Sequence, residues 1–178
     1  MRSEKKTITI FGSSKPVEGD EEYSSAYNLG IRLAKNGFNV CTGGFQGIME
    51  AVSKGAKQNG AETIGVTIDL WGSKPNNFVT EEIRCGSLFQ RIQKLVEIGD
   101  AYVILRGGTG TLLEFATVWE FSNKGLMDYK PILCHSVLWK KIISVMNDQM
   151  ESEGRSTDLV KSCNSIEEIA DYLKNYFQ

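Results

Sequence analysis

The sequence predicts an α/β protein: a single Rossmann-like, doubly wound domain over residues 1–178, with a mainly parallel sheet and helices on both faces. Two observations carry this. Short apolar runs alternate from end to end with longer helix-period segments, the pattern of right-handed βαβ crossovers. The strand runs are also apolar nearly throughout instead of alternating, as expected where both faces are covered.

The elements follow in order. The β-branched run TITIF (7–11) reads as the first strand. After the loop GSSKPVEGD, residues 21–36 form a helix with Tyr23, Ala26, Tyr27, Gly30, Ile31 and Ala34 on one side, and Gly37 is placed to end it. FNVC (38–41) is a strand, TGGFQG a loop, and 47–59 a helix closed near Gly60. ETIGVT (62–67) leads into IDLWGSKPNNF, a polar loop long enough to be a lid or binding segment. Residues 79–84 are ambiguous, with a short strand as one reading. A helix over 87–98, the strand AYVIL (101–105), a glycine loop and a helix over 110–123 come next. PILC (131–134) is a strand and 137–151 a helix. The last helix starts at Ser165, where Glu168 completes an S-x-x-E capping box.

Length and composition narrow the function. The 178 residues suffice for one domain with a substantial core and are too few for two ordinary ones. A net charge of -2, with only Lys5-Lys6 and Lys140-Lys141 as basic clusters, argues against a nonspecific nucleic-acid binder. No apolar stretch approaches the ~20 residues that span a bilayer, and the N-terminus lacks the apolar core of a secretory signal. Four dispersed cysteines without a C-x-x-C pair fit a reduced, cytoplasmic setting. His135 is the one histidine, so neither a zinc site nor Ser-His-Asp chemistry is expected, and no metal or cofactor is implied.

Three glycine-bearing loops follow three predicted strands, and all fall on the carboxyl edge of the sheet. They contain Gly12, Ser13 and Ser14; Gly43 and Gly44; and Gly107, Gly108, Thr109, Gly110 and Thr111. Glycines there let a ligand approach the backbone. The third loop opens a helix, whose unpaired N–H groups and dipole favour a phosphate. The plain alternative is a tight strand-to-helix turn that needs glycine for its geometry. Glu114, three residues after Thr111, lies on the same helix face, beside a phosphate or simply complementing the dipole. Arg91 sits on the border of the stripe formed by Leu88, Ile92, Leu95 and Val96, either snorkelling to water or aimed at a ligand. Glu50 is a weaker candidate of the same type.

Taken together, these segments resemble the LOG family, the cytokinin riboside 5'-monophosphate phosphoribohydrolases. GGTGT with Glu114 resembles the signature PGG-x-GT-x-x-E. ITIFGSSKP is similar to the family's opening strand and loop, and TGGFQGIMEAVSKGA to its GGG-x-x-GLM segment. Arg91 stands before GDAYVIL as the family's arginine stands before its DAF strand, and YKPIL resembles its KP(V/I) strand. The resemblance covers residues 7–145. It implies a Rossmann-like fold, a homodimer or higher homo-oligomer, and an AMP-like nucleoside monophosphate or other phosphorylated small molecule as ligand. By position, Gly108 to Thr111 would hold the 5'-phosphate, Ser13 and Ser14 would line the cleft, and Arg91 and Glu114 would be the catalytic pair in N-glycosidic cleavage. The same fold also resembles molybdenum cofactor carrier proteins, which implies ligand carriage without turnover as the alternative. Arg106 stands where the signature has proline, Leu113 where a glutamate is frequent, Ile92 where a lysine commonly follows the arginine, and Glu50 where many members have glycine.

Overall fold

The computed structural model describes residues 5–69, 72 and 74–178. Its elements are β1 (Thr7–Phe11), α1 (Glu21–Lys35), β2 (Asn39–Thr42), α2 (Ile48–Gln58), β3 (Thr63–Ile68), β4 (Glu81–Cys85), α3 (Leu88–Ile98), β5 (Ala101–Ile104), α4 (Thr109–Asn123), β6 (Ile132–Cys134), α5 (Val137–Ser152), β7 (Lys161–Ser162) and α6 (Ile166–Phe177). The strands form one seven-stranded sheet in the order β4-β3-β2-β1-β5-β6-β7. Every neighbouring pair is parallel. The predicted α/β Rossmann-like class is the observed one.

The strands are apolar on both faces because both faces are covered. Along β1, Ile8 and Ile10 join the core beneath α1, α2 and α6, while Phe11 joins the core beneath α3, α4 and α5. β5 divides the same way, Ala101 and Val103 to one side, Tyr102 and Ile104 to the other. Thr9, fully buried on the second face, is satisfied by donating its hydroxyl to the Leu95 carbonyl of α3 at 3.2 Å.

Helices α1 and α2 pack with almost no side chain between them at two points. A Cβ on Gly30 would lie 2.3 Å from the Val52 carbonyl oxygen, and one on Gly55 would lie 2.1 Å from that of Tyr27. Two helix-interior glycines, unfavourable by propensity, thus permit the close crossing.

The ambiguous stretch at 79–84 yields β4, an edge strand whose exposed Glu81, Glu82 and Arg84 suit an edge that must not pair further. β7 has no counterpart in the sequence reading. It is two exposed residues without an apolar run, and only its pairing with β6 defines it. The capping box at α6 is half of its usual form: Ser165 Oγ accepts from the Glu168 amide at 3.2 Å, but the Glu168 carboxylate accepts from the Asn164 amide at 2.8 Å. Within the long loop after β3, Leu70, Trp71 and Ser73 lie outside the described residues. Its later part is anchored by buried Asn76, whose Nδ2 donates to the carbonyls of Gly44 and Phe45 at 3.1 and 2.8 Å.

This order places the topological switch between β1 and β5. From β1 the chain steps outward through β2, β3 and β4, then returns to the other side of β1 as β5. The loops leaving β1 and β5 therefore diverge, and a cleft opens at their carboxyl ends.

Candidate active site

A cavity of about 320 Å³ lies at that switch point. The loop after β1 contributes Gly12, Ser13, Ser14 and Lys15; the segment after β2 contributes Gly43, Phe45 and Met49; α3 contributes Arg91; and α4 contributes Gly108, Thr109, Gly110, Thr111 and Glu114. Sequence reasoning singled out all of these except Lys15, Phe45 and Met49. An exposed lysine next to a G-S-S loop and two apolar residues near a glycine pair carried no signal of their own.

Three residues singled out in the sequence do not line the cavity. Gly107 supports it from behind, where a Cβ would lie 2.1 Å from Thr111 Oγ1. Gly44 packs on the backbone of Gly65 and offers its carbonyl to Asn76. Glu50 points elsewhere too: its carboxylate accepts from the Tyr23 hydroxyl of α1 at 2.9 Å, and burial, helped by this bond, raises the Tyr23 pKa.

The start of α4 is built to be left open. Gly108 is the N-cap and has no side chain to cap with, so the helix has no side-chain cap. The first backbone bond of the helix is Leu112 N–H to the Gly108 carbonyl, at 2.9 Å. The amides of Thr109, Gly110 and Thr111 therefore face the cavity without intrahelical partners, at the positive end of the helix dipole. Gly47 lets the neighbouring loops close up: its φ is +71°, and a Cβ there would lie 2.4 Å from the Ser13 carbonyl oxygen.

The structure brings Arg91 and Glu114 together, although 23 residues separate them in the chain. Arg91 Nη1 donates to Glu114 Oε1 at 3.2 Å, and Arg91 Nε donates to the Val66 carbonyl at 2.7 Å. The guanidinium stands 5.7 Å from the centre of the Phe45 ring. Both side chains are nearly sealed, 6% and 12% exposed. Gly43 makes room for the arginine, since a Cβ there would sit 1.7 Å from Arg91 Nη2. Burial pushes the Glu114 carboxyl up to about 7, even though Arg91 pulls it down. Near neutral pH this carboxyl can therefore take up or release a proton, as a general acid or base must.

Arg106 turns away from the glycine loop at the start of α4. Its guanidinium pairs with Glu22 at the start of α1, while its backbone carbonyl accepts from the Ser13 amide at 2.9 Å. The residue in the place of the signature proline thus ties the loop to α1 and puts no charge into the cavity.

Fold and site together define a Rossmann-like α/β protein with an uncapped helix start and a buried arginine–glutamate pair facing one switch-point cavity. The chain belongs to the SLOG cluster4 family, a LOG-like family, whose model matches residues 5–169. A protein of Rhodococcoides fascians named cytokinin riboside 5'-monophosphate phosphoribohydrolase is 26% identical over 170 residues, which is 91% of this chain and 86% of that one. A protein of the same name from Mycobacterium tuberculosis is 28% identical over 130 residues, 71% of this chain and 68% of that one. Among solved structures, the molybdenum cofactor binding protein of Rippkaea orientalis has a TM-score of 0.78 at 23% identity, with 98% of each chain covered. That likeness concerns the fold. No helix among the described residues is long and apolar enough to cross a membrane.

Proposed function

We propose that this chain is a nucleoside 5'-monophosphate phosphoribohydrolase that cleaves the N-glycosidic bond to free base and ribose 5'-phosphate. The observation that carries this reading is the nearly sealed Arg91–Glu114 pair on the wall that also presents the open amides of α4. The 5'-phosphate binds those amides, with Thr111 and Lys15 at hand. The ribose then lies against Glu114, one helical turn further in.

In the reaction, water adds to C1' as the C1'–N bond breaks. The base leaves with the bonding electron pair, and the proton released by water passes through Glu114 to the base. The transition state resembles an oxocarbenium ion, which a fixed carboxylate stabilises. Arg91 positions that carboxylate and favours its ionised form. Family membership and the names of the relatives support the substrate class.

The test is to incubate purified protein with AMP and follow adenine by chromatography. Intact AMP after long incubation at high protein concentration would overturn the assignment.

A second reading is ligand carriage without turnover, in line with the fold shared with the molybdenum cofactor binding protein of Rippkaea orientalis. A pterin or nucleotide retained through purification, seen by native mass spectrometry, together with intact AMP would select this reading.

A further inference from the structure

A second cavity, of about 460 Å³, opens beside the first and involves the ends of β5 and β6. Residues 106–108 run between the two: Arg106 lines the second and Gly108 the first. Ser13 completes the partition. Its amide donates to the Arg106 carbonyl at 2.9 Å, and its carbonyl accepts from the Ile48 amide at 2.8 Å. In doubly wound sheets the crevice at the switch point extends to both sides of the central strands, and two-part ligands lie across it.

The lining of the second cavity specifies what it can hold. His135 Nδ1 lies 3.2 Å from the Cys163 carbonyl oxygen, which can only accept. The neutral ring must therefore carry its proton on Nδ1, and Nε2 is an acceptor. Glu21 and Glu22, from the first turn of α1, add carboxylates that also only accept. Arg106, the guanidinium in the lining, is already held by Glu22. Two carboxylates against one engaged cation oppose the entry of a phosphate. Ile48, Leu105 and Leu138 supply an apolar wall for a ring. Ser25 and the start of α5, where Ser136 is the N-cap, add donors to this lining, so its complement is an uncharged ring compound with both hydrogen-bond donors and acceptors.

We propose that the second cavity binds a neutral, hydroxyl-bearing ring compound of the nucleoside class, which donates its hydroxyl hydrogens to Glu21, Glu22 and His135 Nε2 and lays its ring on Ile48, Leu105 and Leu138. That moiety is either a free nucleoside or the distal half of a dinucleotide whose phosphate occupies the start of α4 across the Ser13 partition. Only the dinucleotide source rests on the phosphate site proposed above, and neither source requires Glu114 to be catalytic.

The test titrates adenosine, ADP-ribose and inorganic phosphate into the full chain by calorimetry, in wild type, Leu138→Trp and Glu21→Ala. Both substituted positions are exposed enough for folding to persist, which circular dichroism checks. The expected result is saturable adenosine binding, weakened about tenfold or more by Leu138→Trp and severalfold by Glu21→Ala, with phosphate binding unchanged. ADP-ribose binding about tenfold tighter than adenosine and displaced by phosphate would assign the dinucleotide source. Equal affinities with no effect of phosphate would assign the free nucleoside. Failure of both adenosine and ADP-ribose to bind wild type at millimolar concentration overturns the proposal, as does binding that neither variant weakens. Absence of phosphate binding counts against the first cavity and leaves the adenosine result to decide the second.

Discussion

Arg91 and Glu114 meet at 3.2 Å between α3 and α4, and the pair is nearly closed to water. Such a pair holds two side chains in one geometry but keeps a desolvated carboxylate at a cost. Its consequences for pH come first.

Glu114 titrates near 4.5 as an ordinary glutamate and at about 7 in the folded chain. The folded protein thus holds a proton that the unfolded chain has lost. Its contribution to stability is complete below pH 4.5 and is lost as pH rises through 7, on the order of 3 kcal/mol. Glu114→Gln should flatten that part of the stability profile in urea titrations between pH 4.5 and 8. The same substitution should lower base release from AMP by about a hundredfold or more while AMP binding persists. In wild type, kcat/KM should climb with pH and level off above about 7, because the ionised carboxylate is the form that takes the proton from water.

Gly43 should behave as part of the arginine site. Gly43→Ala puts a methyl group where Arg91 Nη2 lies, and 2.7 Å from Met49 Sδ. The guanidinium must then leave Glu114 or Val66. The expected phenotype is that of Arg91→Ala: turnover lost, and stability lower by about 2 kcal/mol or more because a buried carboxyl has lost its partner. Wild-type turnover in Gly43→Ala would show that the arginine need not stay in place.

The α1–α2 contact gives a prediction of opposite sign to helix propensity. On an open helix face, Gly→Ala stabilises by up to about 1 kcal/mol. Here Gly30→Ala and Gly55→Ala drive a methyl into a carbonyl oxygen of the facing helix. Each should destabilise by about 1–3 kcal/mol, read as a lower thermal midpoint. Neither should change the ratio of AMP turnover to folded protein.

Arg106→Ala tests whether that side chain serves the proposed phosphate site. Its partner is half-buried Glu22, and the arginine itself is 69% exposed. Stability should fall by no more than about 1 kcal/mol. Phosphate affinity should change by less than about tenfold, since backbone amides make the proposed site. A larger loss would mean that the guanidinium swings to the ligand.

Much of the frame was legible because it depends on local periodicity. The strand and helix segments around β1, α1, α3 and α4 fall within a residue or two of their predicted bounds. β4 was ambiguous because its side chains are charged, as suits an edge, and β7 was silent because two exposed residues carry no period. Glu50 shows the limit from the other side. It occupies the first turn of α2 after a glycine loop, as Glu114 follows one in α4, yet it faces Tyr23 on α1. The difference lies in which helix stands opposite, and no local pattern records that.

By itself, the sequence determined an α/β chain of parallel βαβ units with glycine loops at the carboxyl edge, and through its motifs a LOG-type family. These follow from residue period and turn chemistry, which act over a few residues. Only the tertiary structure decided that Arg91 grips Glu114, that Gly43 makes room for it, and that Arg106 turns to Glu22. It alone revealed the second cavity beyond the Ser13 partition. Each of these depends on strand order, which brings distant segments together at one switch point and removes water from between them.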